Sequence, residues 1–301
     1  MRYYLIAGEA SGDIYGSQLI SEIQILDPNS KIRFWGGDLM KSKSNNLVKH
    51  YKDTSVMGFF EVLKHIFKIL RNIDYCKNDI LEFKPDRIIY IDYPGFNLRI
   101  CKWAKKKGYN NHYYISPQIW AWKENRINAI KRDVDHLHVI LPFEKNYYKN
   151  KHGLEVNYSG HPLVNYINKF KPDDKFFDKN NIDKNKAVIA LLPGSRLQEI
   201  KKILPVLLSI VNSFESYQFV IGGVESINKE KYSKLIKNKN VKVVFNQTYN
   251  LLANADAAIV TSGTASLEAA IFNVPQVVCY KTSVITYLIS KILVNIKHIS
   301  L

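Results

Sequence analysis

Cysteine is scarce: Cys76, Cys101 and Cys279 are the only three in 301 residues, and none forms a C-x-x-C pair. That excludes a zinc knuckle and a disulfide framework. Free thiols without a secretory signal predict a reducing cytoplasm. Long apolar runs are missing as well. The nearest candidate for a membrane span, Ile285–Val294, is short and interrupted by Lys291, which excludes a spanning helix but not attachment to a surface. Arginine is sparse, only 8 of the 43 basic residues. Nucleic-acid readers use arginine at base edges and interleave aromatics with it, and no such stripe occurs. Neither G-x-G-x-x-G nor G-K-[ST] is present, so the two common nucleotide-phosphate fingerprints are excluded.

What is present is a folded, basic protein. Hydrophobic residues make up 46% and aromatics 12%, and 43 basic residues against 27 acids give a formal charge of +16. Many lysines lie in solvated Lys/Asn stretches such as Asp178–Lys186 and Asn228–Lys242. That composition accounts for most of the charge, and an anionic membrane surface is a second attraction.

Short β-branched and aromatic runs alternate with helix-length amphipathic segments. Strands are predicted at Tyr3–Ala7, Arg87–Ile91, His112–Ile115, His136–Leu141, Ala187–Leu192, Gln218–Ile221, Val241–Phe245, Ala257–Val260 and Gln276–Tyr280. Helices are predicted at Ile14–Leu26, Phe60–Phe83, Asn97–Lys107, Gln198–Ser213, Ile227–Lys237 and Ala265–Phe272. The pattern implies βαβ units and parallel sheets. A charged, weakly periodic stretch at about 169–185 reads as a linker, dividing the chain into an α/β, Rossmann-like domain over 1–168 and a second over 186–301. Ligands in such sheets bind beyond the carboxyl ends of the strands, which predicts a cleft between the domains.

Five strand ends carry candidate chemistry. The first reads A-G-E-A-S-G-D-I-Y-G, Ala7–Gly16, a ligand-shaped turn charged against phosphate. Glu9 and Asp13 are suited to accept hydrogen bonds from sugar hydroxyls, with Ser11 and Gly12 shaping the same surface. Asp13 is equally well placed to cap a helix starting near Ile14. The second candidate, Ser262-Gly263-Thr264, precedes a helix whose backbone N–H groups and dipole attract an anion, with Glu268 one turn in for a ribose diol. In the third, Gly194-Ser195-Arg196, the arginine is suited to a bidentate phosphate contact. The fourth, Ile91-Asp92-Tyr93-Pro94-Gly95-Phe96-Asn97, puts Asp92 where a general base is expected and Asn97 at the helix start. In the fifth, Trp120 and Trp122 face one side of an extended segment, for stacking on sugar or acyl groups or for packing. Asp133-Val-Asp135 precedes a strand instead of ending one, so it reads as solvated charge. His136 and His138 share a strand face without a third ligand and read as structural. No metal site is expected.

In this order these segments resemble the lipid-A-disaccharide synthase family over essentially the whole chain. The resemblance rests on A-G-E-A-S-G-D (Ala7–Asp13), M-G-F-F-E-V-L (Met57–Leu63), I-D-Y-P-G-F-N (Ile91–Asn97) and S-P-Q-I-W-A-W (Ser116–Trp122). It continues through L-P-F-E (Leu141–Glu144), G-H-P (Gly160–Pro162), L-L-P-G-S-R (Leu191–Arg196) and S-G-T-A-S-L-E-A-A (Ser262–Ala270). The resemblance implies an inverting GT-B glycosyltransferase without metal or other cofactor. It would join UDP-2,3-diacylglucosamine to 2,3-diacylglucosamine 1-phosphate (lipid X) and release UDP.

On that resemblance Asp92, Glu9 and Asp13 face the acceptor, while Gly194, Ser195, Arg196, Ser262, Gly263, Thr264 and Glu268 hold UDP. Acceptor, acyl or membrane contacts fall to Ser11, Gly12, Met57, Phe59, Phe60, Val62, Leu63, Asn97, Trp120 and Trp122. The partners implied are acylated glucosamines and the cytoplasmic face of an inner membrane, held peripherally, with no nucleic acid and no obligate protein partner. Two departures stand out. Gly95 occupies a position where many family members carry an acid, leaving the base open between Asp92 and the opening loop. The family pattern also continues past Leu301 into a segment that contributes to the UDP site, so activity of this chain is an open expectation. Alternatives are another GT-B enzyme using UDP-N-acetylglucosamine, or an inert module that binds UDP-sugar or a membrane surface.

Overall fold

The apolar strands β1 (Arg2–Ala7, RYYLIA), β4 (Arg87–Ile91, RIIYI) and β8 (Val188–Leu192, VIALL) lie at the centres of two parallel sheets. A central parallel strand is covered on both faces, so it reads as an apolar run and not as an alternation. The computed structural model describes residues 1–54, 66–225, 227–236 and 240–281. Met57, Phe59, Phe60, Val62, Leu63 and the apolar run Ile285–Val294 lie outside them.

The chain divides into two compact units, Met1–Pro162 and Leu163–Leu301. In the first, the order is β1, α1 (Ala10–Leu26), β2 (Lys31–Gly36), α2 (Asp38–Lys41), β3 (Leu47–His50), α3 (Tyr51–Thr54), α4 (Ile66–Phe83) and β4. It continues with α5 (Pro94–Lys106), β5 (Asn111–Tyr114), α6 (Ile127–Asp133), β6 (His136–Val139), α7 (Pro142–His152) and β7 (Asn157–Tyr158). The second unit runs α8 (Pro162–Asn168), α9 (Phe176–Lys179), β8, α10 (Leu197–Ser209), β9 (Gln218–Gly223), α11 (Lys229–Ile236) and β10 (Val241–Phe245). Then come α12 (Thr248–Ala253), β11 (Ala257–Thr261), α13 (Thr264–Ile271) and β12 (Gln276–Cys279).

The strand order is β3-β2-β1-β4-β5-β6-β7 in the first sheet and β10-β9-β8-β11-β12 in the second, and every pairing is parallel. Both orders reverse direction once, at β1/β4 and at β8/β11. Such a reversal opens a crevice at the carboxyl ends of the two strands and is where doubly wound sheets bind ligands. The first core packs Tyr4, Ile6, Tyr90, Phe96, Ile100 and Tyr113. In the second, Phe176 and Ile182 are buried against Val188, Val220 and Val260. Residues 169–185, expected to be a linker, thus contribute α9 and two apolar anchors to the second unit.

Among the described residues no helix is long and apolar enough to cross a membrane, and no group of three His, Cys, Asp or Glu is placed to hold a metal ion. His112 stacks on His136 with ring centroids 4.4 Å apart and lies 6.1 Å from His138. Asp133 departs from the solvated reading. It is buried and paired with Arg132 through both carboxylate oxygens, at 2.7 and 2.6 Å.

Candidate active site

The register Ala7↔Ile91↔Tyr114 aligns the ends of β1, β4 and β5. The chain therefore leaves β1 at Gly8-Glu9 beside the point where it leaves β4 at Asp92. Asp92 and Tyr93 both adopt left-handed backbone, with φ of 45° and 50°. Two successive non-glycine residues there cost about 1–2 kcal/mol each. The surroundings hold the conformation in place. The Asp92 carbonyl accepts hydrogen bonds from Asn97 Nδ2 at 2.7 Å and from the Tyr113 hydroxyl at 2.8 Å. The Asp92 N–H donates to the Tyr114 carbonyl at 3.3 Å. Pro94 disfavours right-handed helix at Tyr93, and the Tyr93 ring stacks on Phe96. Strain held by converging bonds is a mark of functional loops.

The same ring explains Gly8. A Cβ there would lie 2.3–2.6 Å from three Tyr93 ring atoms. Ends of β1 and β4 are thereby locked together, and the half-buried Asp92 carboxyl sits in a poorly solvated corner. Burial, reinforced by the like charge of Glu9, pushes its pKa up to about 6; the Tyr93 N–H and the Arg126 guanidinium oppose the rise. A carboxylate with that value is ionised at neutral pH yet basic enough to accept a proton in a transition state. His161 edges onto the Tyr15 ring at 5.8 Å and, with its pKa pushed down to about 4 by burial, is neutral at pH 7.

Several expected contacts are corrected here. The helix begins at Ala10, not Ile14, because the Asp13 N–H already donates to the Glu9 carbonyl at 3.0 Å. Ser11, Gly12 and Asp13 therefore lie in the first turn of α1. Asp13 is 3% exposed and accepts the N–H groups of Gly37 (2.7 Å), Leu39 (3.0 Å) and Met40 (3.0 Å). It caps α2 and has no face toward an acceptor. Gly12 is buried where a Cβ would come within 3.1 Å of the Ala7 Cβ, so it serves close packing of α1 on β1. Asn97 is fully buried. It positions Asp92 and touches no acceptor, and its Oδ1 has no hydrogen-bond partner among the described residues.

Trp120 and Trp122 do not sit on an extended segment. Bonds from Ile119 N to Pro117 O and from Ala121 N to Gln118 O fold it into turns. Trp120 donates to Glu144 at 3.1 Å and packs edge-on to Phe143, whereas Trp122 stays exposed. Arg126, which the sequence reading passed over, follows Trp122 by four positions. Its signal was a lone arginine just after a strand-end aromatic pair.

The second unit repeats the geometry with other chemistry. Leu192 pairs with Val260, so the loops Pro193–Arg196 and Ser262–Gly263 leave neighbouring strands side by side. Gly194 and Gly263 hold φ of 105° and 133°, accessible to glycine and to few other residues. Arg196 is exposed at the start of α10, 3.1 Å from Glu199. Ser266 Oγ donates to the Gly263 carbonyl at 2.7 Å, which fixes the loop against α13. Glu268 accepts the Tyr249 hydroxyl at 3.0 Å. Burial pushes its pKa up to about 7, with the Tyr249 bond opposing.

Comparison with known proteins shows the family and the fold. A family described as lipid-A-disaccharide synthetase matches residues 3–301. The lipid-A-disaccharide synthase of Trichlorobacter lovleyi is 37% identical over 306 residues, covering 100% of this chain and 80% of that protein. That of Coxiella burnetii is 36% identical over 301 residues, covering 99% and 80%. Among solved structures, UDP-GlcNAc 2-epimerase from Neisseria meningitidis bound to UDP-GlcNAc superimposes with a TM-score of 0.70 at 15% identity, covering 94% of this chain and 84% of that one. A Staphylococcus aureus MnaA–UDP co-structure gives 0.68 at 12% identity, covering 94% and 80%. At those identities the likeness establishes the fold, GT-B, and nothing finer.

Proposed function

The chain belongs to the lipid-A-disaccharide synthetase family of glycosyltransferases, and we propose that it joins UDP-2,3-diacylglucosamine to 2,3-diacylglucosamine 1-phosphate, releasing UDP. The observation that carries the reading is Asp92, an acid raised to about 6 and held on strained backbone at the β1/β4 reversal. In this mechanism the acceptor's 6-hydroxyl gives its proton to Asp92 as its oxygen attacks the anomeric carbon. The bond from that carbon to the UDP phosphate oxygen breaks on the opposite face, inverting the centre. Glu9 holds a neighbouring sugar hydroxyl. Gly95 is exposed, with open space around an added Cβ, so in this chain the proton falls to Asp92.

Negative charge appears on the departing UDP, and the second unit's loops are suited to it. Arg196 and the N–H groups of Gly263 and Thr264 would neutralise the phosphates, and ionised Glu268 would accept the ribose hydroxyls. No metal is assigned a step. Peripheral attachment to the cytoplasmic face of an inner membrane belongs to the same reading. Phe67 and Leu70 stand 80% and 45% exposed on α4, with Lys68 and Arg71 beside them in sequence. An amphipathic surface of that kind suits an anionic bilayer.

The test is to incubate the chain in detergent with both acylated sugars and look for the disaccharide 1-phosphate by mass spectrometry, beside Arg196→Ala. Product from the wild type, cut tenfold or more by the substitution, supports the reading. UDP release from UDP-N-acetylglucosamine with no disaccharide formed would sink it.

A further inference from the structure

Among the described residues the turn after β5 carries two cations that form no salt bridge, although Arg126 feels the charge of Asp92. Lys123 Nζ lies 4.4 Å from the centroid of the Trp122 ring and Arg126 Cζ lies 5.1 Å from it. Lys123 has left-handed backbone, φ 53°, and a single 3-10 turn, Glu124–Arg126, follows. That bend brings the residues one and four places after Trp122 onto the same ring. Glu124, the acid between them, is engaged elsewhere, with Lys151 at 2.7 Å and the Tyr147 hydroxyl at 3.1 Å. Among the described residues no carboxylate pairs with Lys123 or Arg126 at salt-bridge distance.

Trp122 is 42% exposed and Lys123 is exposed, so the cluster is open to solvent, while Arg126 is half-buried. Burial lowers the pKa of both cations, and Lys123 is lowered further by Arg126. Two partly dehydrated like charges held on one aromatic ring repel each other, and an anion placed between them relieves both penalties. The aromatic ring fixes the cations beforehand, which reduces the ordering cost of binding.

We propose that Lys123, Trp122 and Arg126 form a binding site for a sugar phosphomonoester, beside Asp92 in the first unit. Arg126 is near enough to Asp92 for each charge to act on the other. Asp92 and this turn follow neighbouring strands, β4 and β5, so a sugar held by its phosphate here lies at the strand ends that carry Asp92. The identity of that sugar rests on the synthase reading, in which it is the acceptor and the group is its 1-phosphate. A bound dianion would also raise the basicity of Asp92, so the proton acceptor strengthens when the correct acceptor is seated.

The experiment compares the wild type with the double variant Lys123→Gln/Arg126→Gln. Each is titrated calorimetrically, in neutral detergent micelles, with 2,3-diacylglucosamine 1-phosphate and with 2,3-diacylglucosamine. The wild type should prefer the phosphorylated form by tenfold or more, since charge-assisted hydrogen bonds are the strong ones. The variant should bind both forms equally, with unchanged affinity for the uncharged one. A wild type that fails to distinguish the two forms, or a variant that keeps the full preference, overturns the site. Cosedimentation with phosphatidylglycerol vesicles separates the other source of phosphate. If the variant loses the vesicles but keeps its preference among the sugars, the cations serve lipid headgroups and the proposal fails. Circular dichroism melting verifies the fold of the variant. Because turnover is not the readout, failure of the synthase reading, seen as absence of disaccharide, stays distinct from failure of this site.

Discussion

Replacing Asp92 by asparagine should stabilise the first unit at neutral pH while removing transfer activity. Asparagine keeps the shape, and its carbonyl oxygen can still accept the Tyr93 N–H, but it carries no charge to bury. A carboxyl whose pKa rises from 3.8 to about 6 on folding opposes folding once it ionises. The protonated form fits the site at no electrostatic cost, so below about pH 4 the substitution gains nothing. Between about 4 and about 6 the folded wild type holds a proton that the unfolded chain has released, and its stability falls relative to the variant. Above about 6 the difference is complete. At about 1.4 kcal/mol for each pH unit, the rise amounts to roughly 3 kcal/mol. The attraction between Asp92 and Arg126 is already contained in that figure, because Arg126 holds the carboxyl's pKa below what burial alone would give.

The assay is favoured by where the tryptophans lie. All four, Trp35, Trp103, Trp120 and Trp122, belong to the first unit, so their emission during urea unfolding follows that unit alone. The difference in unfolding free energy between variant and wild type should be near zero at pH 4 and grow to its plateau by pH 7. Transfer should fall by roughly 10²–10⁴ if Asp92 is the general base. A margin of variant over wild type no larger at pH 7.5 than at pH 4 would refute the raised value and the reasoning from burial behind it.

Three further outcomes are expected. UDP affinity should increase with pH through about 7, as the raised Glu268 carboxyl ionises and becomes acceptor-only for ribose hydroxyls; Glu268→Gln should flatten that dependence in isothermal titrations. Asp13→Ala should destabilise the first unit by about 3–5 kcal/mol, because three N–H groups of α2 lose a buried acceptor. The loss is read from the tryptophan-monitored urea midpoint, with UDP affinity unaltered. Gly8→Ala should cost about 1–3 kcal/mol by displacing the Tyr93 ring, and should lower transfer more than Gly95→Ala, whose Cβ meets open space.

The strands that lie at sheet centres were legible because double burial leaves an apolar run behind. Arg87–Ile91 falls where the pattern puts it; Val241–Phe245 does so too, although it is an edge strand, because four of its five residues are β-branched or aromatic. The strands Lys31–Gly36, Leu47–His50 and Asn157–Tyr158 were not legible. KIRFWG, LVKH and NY mix charge with apolar residues, and the last two sit at sheet edges where pairing needs little burial. Local propensity also misplaced the start of α1. Ala-Ser-Gly-Asp is poor helix sequence, and only its packing on β1, through the missing side chain of Gly12, makes it helical. Residue type drew attention to Asp92, since a strand-end carboxylate needs only its position to be noticed. The roles of Asp13 and Asn97 depend on partners brought in by the fold: Gly37–Met40 for one, the Asp92 carbonyl for the other. No spacing within a short motif encodes either. Arg126 was missed for the same reason, because its relation to Trp122 and Asp92 exists only once the turn closes.

The two sheets place loops at equivalent reversals and then differentiate them by charge. At β1/β4 the chain buries Asp92 beside Glu9, and burial, reinforced by that like charge, keeps a base poised near neutral pH. At β8/β11 it brings Arg196 beside a glycine-opened helix start, where anions are favoured. An acid pair repels a diphosphate and accepts hydroxyls, while a cation with free N–H groups does the reverse. A protein that must tell a sugar hydroxyl from a nucleotide phosphate can therefore use one topology twice, changing only the residues at the strand ends. The Lys123–Trp122–Arg126 cluster completes this logic, because it returns a single anion site to the end of β5, one strand away from the acidic pair at β1/β4.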